Sequence, residues 1–331
     1  MANLNICIIG DGGWGTTLAI HLARKGFKTR LWGAFPDYIN VLKETRENIK
    51  FLPGVKIPEG VSITASLDEA AEAADLMILA VPSQHMRGVA TRLKIYDLKN
   101  ALFVNCAKGI ENESLKRMSE VVQEVLKPKG QAVLSGPTIA LEVVNCVPTT
   151  IVSASADLIV ARRVQDIFMT DSLRVYTNTD VTGVELGGAL KNIVAIAAGI
   201  CDGLGFGTNA KAALLTRGLA EMVRLGEAMG AKRETFYGLS GLGDLTTTCI
   251  SQYSRNRWFG EEIGRLKRLN EVLKGTEMAI EGIATTKSAF GLSKKHKVDM
   301  PITEEIYKVL YENKNPRVAV HDLMTRSPKM E

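Results

Sequence analysis

Short apolar runs alternate with helical patterns through the first half of the chain. Seven runs are rich in Val, Ile and Leu without polar alternation, as in strands buried on both faces of a sheet. They cover residues 6–9, 29–32, 76–81, 101–106, 132–134, 150–152 and 174–176. Helical patterns lie between them at residues 16–25, 67–74, 115–126 and 158–169. The alternation predicts a doubly wound α/β domain.

The strand signal stops at about residue 180, and the pattern becomes helical. Helical runs cover residues 181–200, 210–229, 259–267, 270–273, 284–295, 303–311 and 319–324. We therefore predict two domains, an α/β domain at residues 1–179 and an all-helical domain at residues 180–331.

A glycine-rich loop joins the first predicted strand to the first predicted helix. Gly10, Gly12 and Gly15 fit the pattern G-x-G-x-x-G in its strand–turn–helix setting. These glycines allow a tight turn, close approach of a pyrophosphate and close packing of the helix on the strand. The N–H groups and the dipole of the helix then attract phosphates. A tight turn without a ligand is the alternative, but the context favours an NAD(P)-binding domain of the Rossmann type.

Polar and small residues follow three more predicted strands. Ser83 comes after one strand, Lys108 after the next, and Ser135 to Thr138 after the third. Ligands of open α/β sheets bind outside the carboxyl ends of the strands. Each segment alone is as well explained by an ordinary loop, but together they predict one crevice.

Lys191 is the central charge of the apolar run at residues 181–200. Glu185 lies six residues before it and does not share its helix face. Apolar residues on every side of the helix predict burial, which is expected to lower the pKa of this lysine toward the working range. Such a lysine exchanges a proton with an alcohol or a carbonyl oxygen. The alternative is a lysine that reaches the helix surface.

A polar run near residue 254 is a candidate anion site. Ser254, Arg255, Asn256 and Arg257 offer a hydroxyl, an amide and two guanidinium groups, which suit phosphate oxygens. A capped loop before a helix explains the run equally well. Asp244, in a glycine-rich loop, is a candidate anchor for a lysine or a substrate hydroxyl.

Composition and charge exclude several classes of protein. The 331 residues carry a net charge of only +5, with no basic block, which gives little support to nucleic-acid or membrane binding. The stretch at residues 186–200 is too short to span a bilayer. We expect no signal peptide and no metal site, and the five cysteines predict buried free thiols in a reducing cytoplasm. His85 is a weaker candidate for the cofactor cleft.

The sequence leaves the choice between NAD and NADP open. An acid that binds the cofactor ribose is often found about 20 residues after the glycine loop, but none occurs here until Asp37. Arg30 lies inside the predicted strand, so a clamp for a 2′-phosphate is missing as well. Phe35 is a candidate to stack on the adenine.

Ten motifs in order give the chain a resemblance to a known family. It resembles the NAD(P)-dependent glycerol-3-phosphate dehydrogenases of the bacterial biosynthetic type along nearly its whole length. The motifs are Gly10-x-Gly12-x-Trp14-Gly15-Thr16, Val81-Pro-Ser83, Cys106-Ala-Lys-Gly109, Ser135-Gly-Pro-Thr138, Gly187-Gly-Ala-Leu-Lys-Asn192, Gly205-Phe-Gly-x-Asn209, Arg217-Gly-Leu-Ala-Glu-Met222, Gly241-Leu-Gly-Asp244, Ser254-Arg-Asn-Arg257 and Glu281-Gly282.

The resemblance implies an activity and a set of site residues. The activity is reversible hydride transfer to C2 of dihydroxyacetone phosphate, giving sn-glycerol 3-phosphate for phospholipid synthesis, with Lys191 as general acid/base. Implied substrate contacts are Lys108, Gly136, Thr138, Lys191, Asp244, Ser254, Arg255 and Asn256. Implied cofactor contacts are Gly13, Trp14, Lys108, Ala140, Arg255, Ala279 and Glu281, beside the glycines of the loop. A homodimer is also implied.

Two residues depart from the family pattern, and two other functions stay open. Asp11 stands where the family usually has a small apolar residue, and Ala34 where it often has a basic one. Both bear on cofactor preference. The alternatives are a dehydrogenase of the same architecture acting on a β-hydroxyacid, and a redox sensor that binds NAD(P) without turnover.

Overall fold

The computed structural model describes residues 4–276, 278–328 and 330. Within these residues, eight strands form one sheet and two more form a hairpin. The strands are β1 (Asn5–Ile9), β2 (Lys28–Trp32), β3 (Glu47–Asn48), β4 (Leu52–Lys56), β5 (Val61–Thr64), β6 (Leu76–Leu79), β7 (Leu102–Asn105), β8 (Gly130–Ser135), β9 (Thr149–Ala154) and β10 (Leu173–Asn178).

The large sheet has the order β10-β9-β8-β7-β6-β1-β2-β5. Its central strands β8, β7, β6, β1 and β2 are parallel, so their carboxyl ends lie side by side at one edge. β9 runs antiparallel to β8, and β10 runs parallel to β9. The predicted α/β fold is confirmed, and all seven predicted strands are present. The pattern missed β5 and the β3–β4 hairpin.

Helices cover both faces of this sheet. They are α1 (Gly13–Arg24), α2 (Pro36–Thr45), α3 (Leu67–Ala71), α4 (Met86–Leu93), α5 (Met118–Leu126), α6 (Ala140–Val144) and α7 (Leu158–Phe168). Two predicted helices were too long. Ala73 and Leu115 have φ angles of 47° and 58°, which a right-handed helix does not contain, so α3 ends earlier and α5 begins later than predicted.

The second half of the chain is helical, as predicted. Its helices are α8 (Val181–Gly203), α9 (Thr208–Ala228), α10 (Arg233–Phe236), α11 (Asp244–Ile250), α12 (Arg255–Gly264), α13 (Leu269–Lys274), α14 (Glu281–His296), α15 (Pro301–Tyr311) and α16 (Pro316–Met324). A π-helical turn, Leu239–Gly243, leads into α11. The short helices α10 and α11 were missed, and α12 begins at Arg255 rather than at residue 259.

Helix α8 is the central helix of this half. It has 23 residues, and by length and composition it is apolar enough to cross a membrane, but its most apolar window is wholly buried inside the protein. The expectation from the sequence concerns residues 186–200 alone, and the helix that contains them is longer than that apolar run. Its burial in a protein core explains the apolar composition instead.

The chain divides into two compact units. The first unit contains residues 1–108 and 117–181, and the second contains residues 109–116 and 182–331. The predicted division at residue 180 did not include the short segment 109–116 in the second unit. Within that unit, the Ser288 hydroxyl lies 3.0 Å from the carbonyl oxygen of Ile110 and 2.6 Å from Oδ1 of Asn112.

Candidate active site

The glycine loop closes the end of β1 and opens α1. Gly10 has a φ of +123°, and a Cβ added at Gly15 would lie 1.9 Å from the carbonyl oxygen of Gly10. Both positions therefore require glycine. Gly12 is the N-cap of α1 and offers no side chain to the helix end, so the first N–H groups of the helix have no cap. This arrangement fits a pyrophosphate.

A hairpin that the sequence did not predict supports this loop. Asn48 of β3 is fully buried, and its amide donates to the carbonyl oxygen of Asp11 and to Oγ1 of Thr16, both at 2.7 Å. Its Oδ1 accepts from the Tyr38 hydroxyl at 2.7 Å and from the N–H of Phe51 at 3.1 Å. No motif marked Asn48, because its function is to position backbone atoms of the loop.

Other predicted cofactor contacts also lie in the first unit. Trp14 packs against the core in the first turn of α1, and Ala140 begins α6, where its carbonyl oxygen accepts from Oγ1 of Thr17 at 3.3 Å. Phe35 is 71% exposed at the start of α2. His85 is exposed in a short 3₁₀ turn, Ser83–His85.

Three predicted substrate contacts meet at the carboxyl ends of β7 and β8. Nζ of Lys108 donates to the carbonyl oxygen of Gly136 at 2.9 Å, and Oγ1 of Thr138 lies 3.2 Å from the same oxygen. Gly136 has a φ of +141°. The turn after β8 thus brings a cation and a hydroxyl to one place, as the strand-end pattern predicted.

Lys191 lies in the second unit and is buried, as predicted, with 7% of its surface exposed. Its Nζ donates to Oδ1 of Asp244 at 2.7 Å and to Oγ1 of Thr248 at 2.6 Å. The Thr248 hydroxyl in turn lies 2.6 Å from the carbonyl oxygen of Asp244. A buried cation needs a paired charge and hydrogen-bond acceptors, and this cluster supplies both.

The local fold explains how Asp244 reaches Lys191. The π-helical turn Leu239–Gly243 packs against α8 at Gly187, where an added Cβ would lie 2.5 Å from the carbonyl oxygen of Ser240. Asp244 is the first residue of α11, and Thr248 follows it by one helical turn. The sequence suggested Asp244 as a lysine anchor but missed Thr248, which the spacing of four residues on a helix predicts.

The polar run near residue 254 forms the start of α12. The Ser254 hydroxyl caps the helix by accepting from the N–H of Arg257 at 3.2 Å, and Arg255 is exposed beside it. Arg257 is not available for a phosphate, because it pairs with Asp202 at 2.7 Å. The interpretation that both arginines face an anion is therefore wrong for Arg257.

Asn256 connects α12 to two other helices. Its amide nitrogen donates to Oδ1 of Asn192 at 3.0 Å, and its Oδ1 accepts from the N–H of Gly282 at 2.9 Å. Glu281, at the start of α14, is close enough to act electrostatically on Arg255, and Ala279 is exposed just before it. Asn256 thus positions the starts of α12 and α14.

The predicted site residues fall into two groups. The first unit holds the glycine loop, Phe35, Lys108, Gly136, Thr138 and Ala140, and the second holds Lys191, Asp244, Ser254, Arg255, Asn256, Ala279 and Glu281. Within the described ranges, no group of three or more His, Cys, Asp or Glu side chains is placed to hold a metal.

The five cysteines belong to no metal-holding group among the described residues. All five are free, and four are buried, but Cys146 is exposed, so the expectation of buried thiols is wrong for it. Burial raises the pKa of Cys7 and of Cys106 to about 12, which keeps them as thiols.

The chain matches known proteins along its whole length. Residues 5–161 match the model of the NAD-dependent glycerol-3-phosphate dehydrogenase N-terminus, and residues 180–321 match the model of the C-terminus. A glycerol-3-phosphate dehydrogenase [NAD(P)+] of Prosthecochloris aestuarii is 51% identical, covering 98% of this chain and 99% of the relative. One from a Thermoanaerobacter strain is also 51% identical, with 99% of each chain covered.

A solved structure agrees with these relatives. The crystal structure of glycerol-3-phosphate dehydrogenase from Coxiella burnetii is 39% identical and has a TM-score of 0.95, covering 98% of this chain and all of its own. Because both family models match in order and relatives are half identical over nearly the full length, this chain belongs to the NAD-dependent glycerol-3-phosphate dehydrogenase family.

Proposed function

We propose that this chain catalyses the reversible reduction of dihydroxyacetone phosphate to sn-glycerol 3-phosphate with NADH or NADPH. The observation that carries the proposal is the buried cluster of Lys191, Asp244 and Thr248 in a member of this family. A mere binding protein gains nothing from a buried ammonium group, which is costly to desolvate.

Lys191 supplies the proton that the reaction needs. A nicotinamide dinucleotide held at the glycine loop would supply the hydride to C2. As the C2 carbonyl becomes an alcohol, its oxygen gains negative charge, and the ammonium group of Lys191 donates a proton to it. In the reverse direction the amine takes this proton back. Asp244 and Thr248 hold Nζ in place in both directions of the reaction, since each accepts a hydrogen bond from it.

The start of α12 is the proposed phosphate site. The positive end of a helix dipole, the Ser254 hydroxyl and the side chain of Arg255, an exposed residue whose pKa is lowered by desolvation of its charged end, lie together there. Asn256 sets the direction of this helix end through Asn192 and Gly282. In the first unit, Lys108 and Thr138 are proposed as further substrate contacts, and the glycine loop as the pyrophosphate site.

The test adds dihydroxyacetone phosphate to the protein in the presence of NADH or NADPH. Oxidation of the cofactor is measured as a loss of its absorbance. Lys191→Met should lower kcat by about a thousandfold, within the range for loss of a general acid, while cofactor binding is retained. Lys287→Met, which removes an exposed lysine of α14, is the matched control and should keep normal turnover. Turnover of Lys191→Met near that of the control would reject the assignment.

A second variant tests the phosphate site. Arg255→Ala should raise KM for dihydroxyacetone phosphate more than it lowers kcat, because the lost contact binds the ground and transition states alike. The same loss with an unphosphorylated ketone would contradict the assignment. Turnover of a β-ketoacid but not of the phosphorylated ketone would instead favour a β-hydroxyacid dehydrogenase.

We further propose a cytoplasmic homodimer that supplies glycerophospholipid synthesis and binds neither nucleic acid nor membranes. The small net charge of +5 supports the last point. Support for a dimer comes from Ala210, Ala212 and Ala213, which are exposed on the first turns of α9. Light scattering during size-exclusion chromatography measures the mass, and a value of one chain would reject the dimer.

A further inference from the structure

The carboxylate of Asp11 lies against the end of the second strand. A Cβ added at Gly33 would lie 2.6 Å from both Cγ and Oδ2 of Asp11. Gly33 follows β2 directly, and in Rossmann-type domains the acid that binds the cofactor ribose stands at this point of the fold. Here the residues after β2 are Gly33, Ala34 and Phe35. The side chain of Asp11 therefore occupies the region from which β2 provides no acid of its own.

One oxygen of the Asp11 carboxylate accepts no hydrogen bond from the described residues. Oδ2 of Asp11 is buried without a hydrogen bond to any described residue. Buried acceptors in folded proteins are nearly always paired, so an unpaired one calls for an explanation. A hydroxyl donor on a bound molecule would provide it. Desolvation raises the pKa of Asp11, as expected for a carboxylate that lacks such a donor.

The nearest candidate for a 2′-phosphate clamp is already engaged. Arg30 on β2 donates through one guanidinium nitrogen to the carbonyl oxygens of Glu69, Ala70 and Glu72. An arginine bound to the end of α3 in this way is held away from a cofactor phosphate. The end of β2 thus combines a carboxylate with an arginine that is occupied elsewhere.

We infer that Asp11 binds the adenosine ribose of the cofactor and excludes a 2′-phosphate, so that this chain prefers NADH to NADPH. An ionised carboxylate accepts a hydrogen bond from a ribose hydroxyl and repels a phosphate at the same position. The inference rests on the proposed function only in taking the cofactor to be a nicotinamide dinucleotide.

Asp37 is the competing explanation. It is exposed in the first turn of α2 and is the first acid after β2 in the sequence. The atoms nearest to a Cβ added at Gly33 belong to Asp11 and Ile39, not to Asp37. Asp37→Asn removes one negative charge from the same part of the chain, which makes it the matched control for Asp11→Asn.

Equilibrium binding tests the inference without any turnover. NADH and NADPH are titrated into the full-length protein, and Kd is measured from nicotinamide fluorescence. The wild-type protein should bind NADH at least about tenfold more tightly than NADPH, the effect of one hydrogen bond to a charged group. Asp11→Asn should lower this ratio by about tenfold, and Asp37→Asn should leave it unchanged.

Three results would overturn the inference. They are a wild-type protein that binds NADPH as tightly as NADH, a ratio unaffected by Asp11→Asn, and a ratio that falls equally in Asp37→Asn. Asp11→Ser provides a second variant, smaller and uncharged, if the amide disturbs the loop. Failure of the wild-type protein to bind either dinucleotide would reject the proposed function itself, which is a different outcome from binding without preference.

Discussion

At the scale of single residues, the burial of the Lys191 ammonium group determines what its neighbours must be. Asp244 balances the charge, and Thr248 accepts a second hydrogen bond while its own proton lies toward the carbonyl oxygen of Asp244. The proposed role of Lys191 makes Thr248 a positioning residue, since Thr248 would act on the reaction through its hydrogen bond to Nζ.

Thr248→Val tests this role with little change in volume. Loss of a hydrogen bond to a charged group should lower kcat by about tenfold to a hundredfold, with KM for dihydroxyacetone phosphate nearly unchanged. Thr248→Ser should restore most of the rate. Thr247→Val, the neighbouring threonine on α11, is the control. Steady-state kinetics separate kcat from KM, and a change confined to KM would contradict the positioning role.

Sequence reasoning at this scale succeeded where burial could be inferred from pattern. The apolar helix predicted that Lys191 is buried, and the glycine-rich loop suggested Asp244 as an anchor for a lysine or a substrate hydroxyl. It failed for Arg257, whose pairing with Asp202 of α8 depends on the packing of α12. A residue type gives the chemistry available, but the three-dimensional contacts decide which group uses it.

At the scale of elements, α8 and α12 pack with unusually close backbones. A Cβ added at Gly260 would lie 2.0 Å from the carbonyl oxygen of Ile196, and one at Gly199 would lie 1.9 Å from that of Arg257. This contact holds the start of α12, which carries Ser254 and Arg255, at a fixed distance from the helix that carries Lys191.

Gly260→Ala should therefore destabilise the protein. The added methyl group has no space, and overpacking costs about 1–3 kcal/mol, measured as the free energy of unfolding in denaturant. Gly291→Ala is the matched control, because α14 has room for a Cβ at 3.4 Å from the Leu115 side chain. That change should be neutral or stabilising by up to about 1 kcal/mol. Equal effects of the two substitutions would refute the packing argument.

The sequence predicted strands that are mostly apolar and missed strands that include polar, partly exposed positions. The seven predicted strands lie between two neighbours or under helices, so their apolar runs are continuous. β5 has only four residues at the sheet edge, and β3 has two. The predicted strand β6 also has four residues, but all of them are apolar, whereas β5 contains Ser62 and Thr64. A short edge strand with polar positions is difficult to distinguish from a loop, although Asn48 of β3 supports the glycine loop.

At the scale of the whole molecule, a buried carboxylate links stability to pH. Glu221 of α9 accepts from the N–H groups of Ile302 and Thr303 at 2.6 and 3.1 Å and so caps α15. Burial nevertheless raises the pKa of Glu221 to about 7 from its ordinary value of 4.5. The folded protein then retains a proton that the unfolded chain releases between these values.

Stability contributed by Glu221 should accordingly decrease as the pH rises from 4.5 to 7. The decrease is about 3 kcal/mol in the free energy of unfolding. Denaturant titrations at several pH values, compared with Glu221→Gln, isolate this contribution, since glutamine cannot titrate. Glu234→Gln, an exposed acid on α10, serves as the control. A difference between wild type and Glu221→Gln that does not vary with pH would contradict the linkage.

Family membership could be predicted at this scale because the motifs are local and ordered along the chain. The grouping of residues 109–116 with the second unit could not. That segment lies between β7 and α5 of the first unit, and nothing in its composition marks contacts with α14. Long-range contacts with α14 reveal it, among them the hydrogen bonds of Ser288 to the carbonyl oxygen of Ile110 and to Asn112.

This grouping has a consequence for how the protein is made. During synthesis the segment 109–116 leaves the ribosome long before α14, so Ile110 and its carbonyl oxygen must wait for their partners until the end of translation. A gene cut at residue 181 would separate Ser288 from those partners and remove Ile110 from the core of the second unit. Two separately expressed halves divided at residue 181 would therefore each lack contacts that the full chain makes, even though the sequence changes there from alternating strands and helices to helices alone.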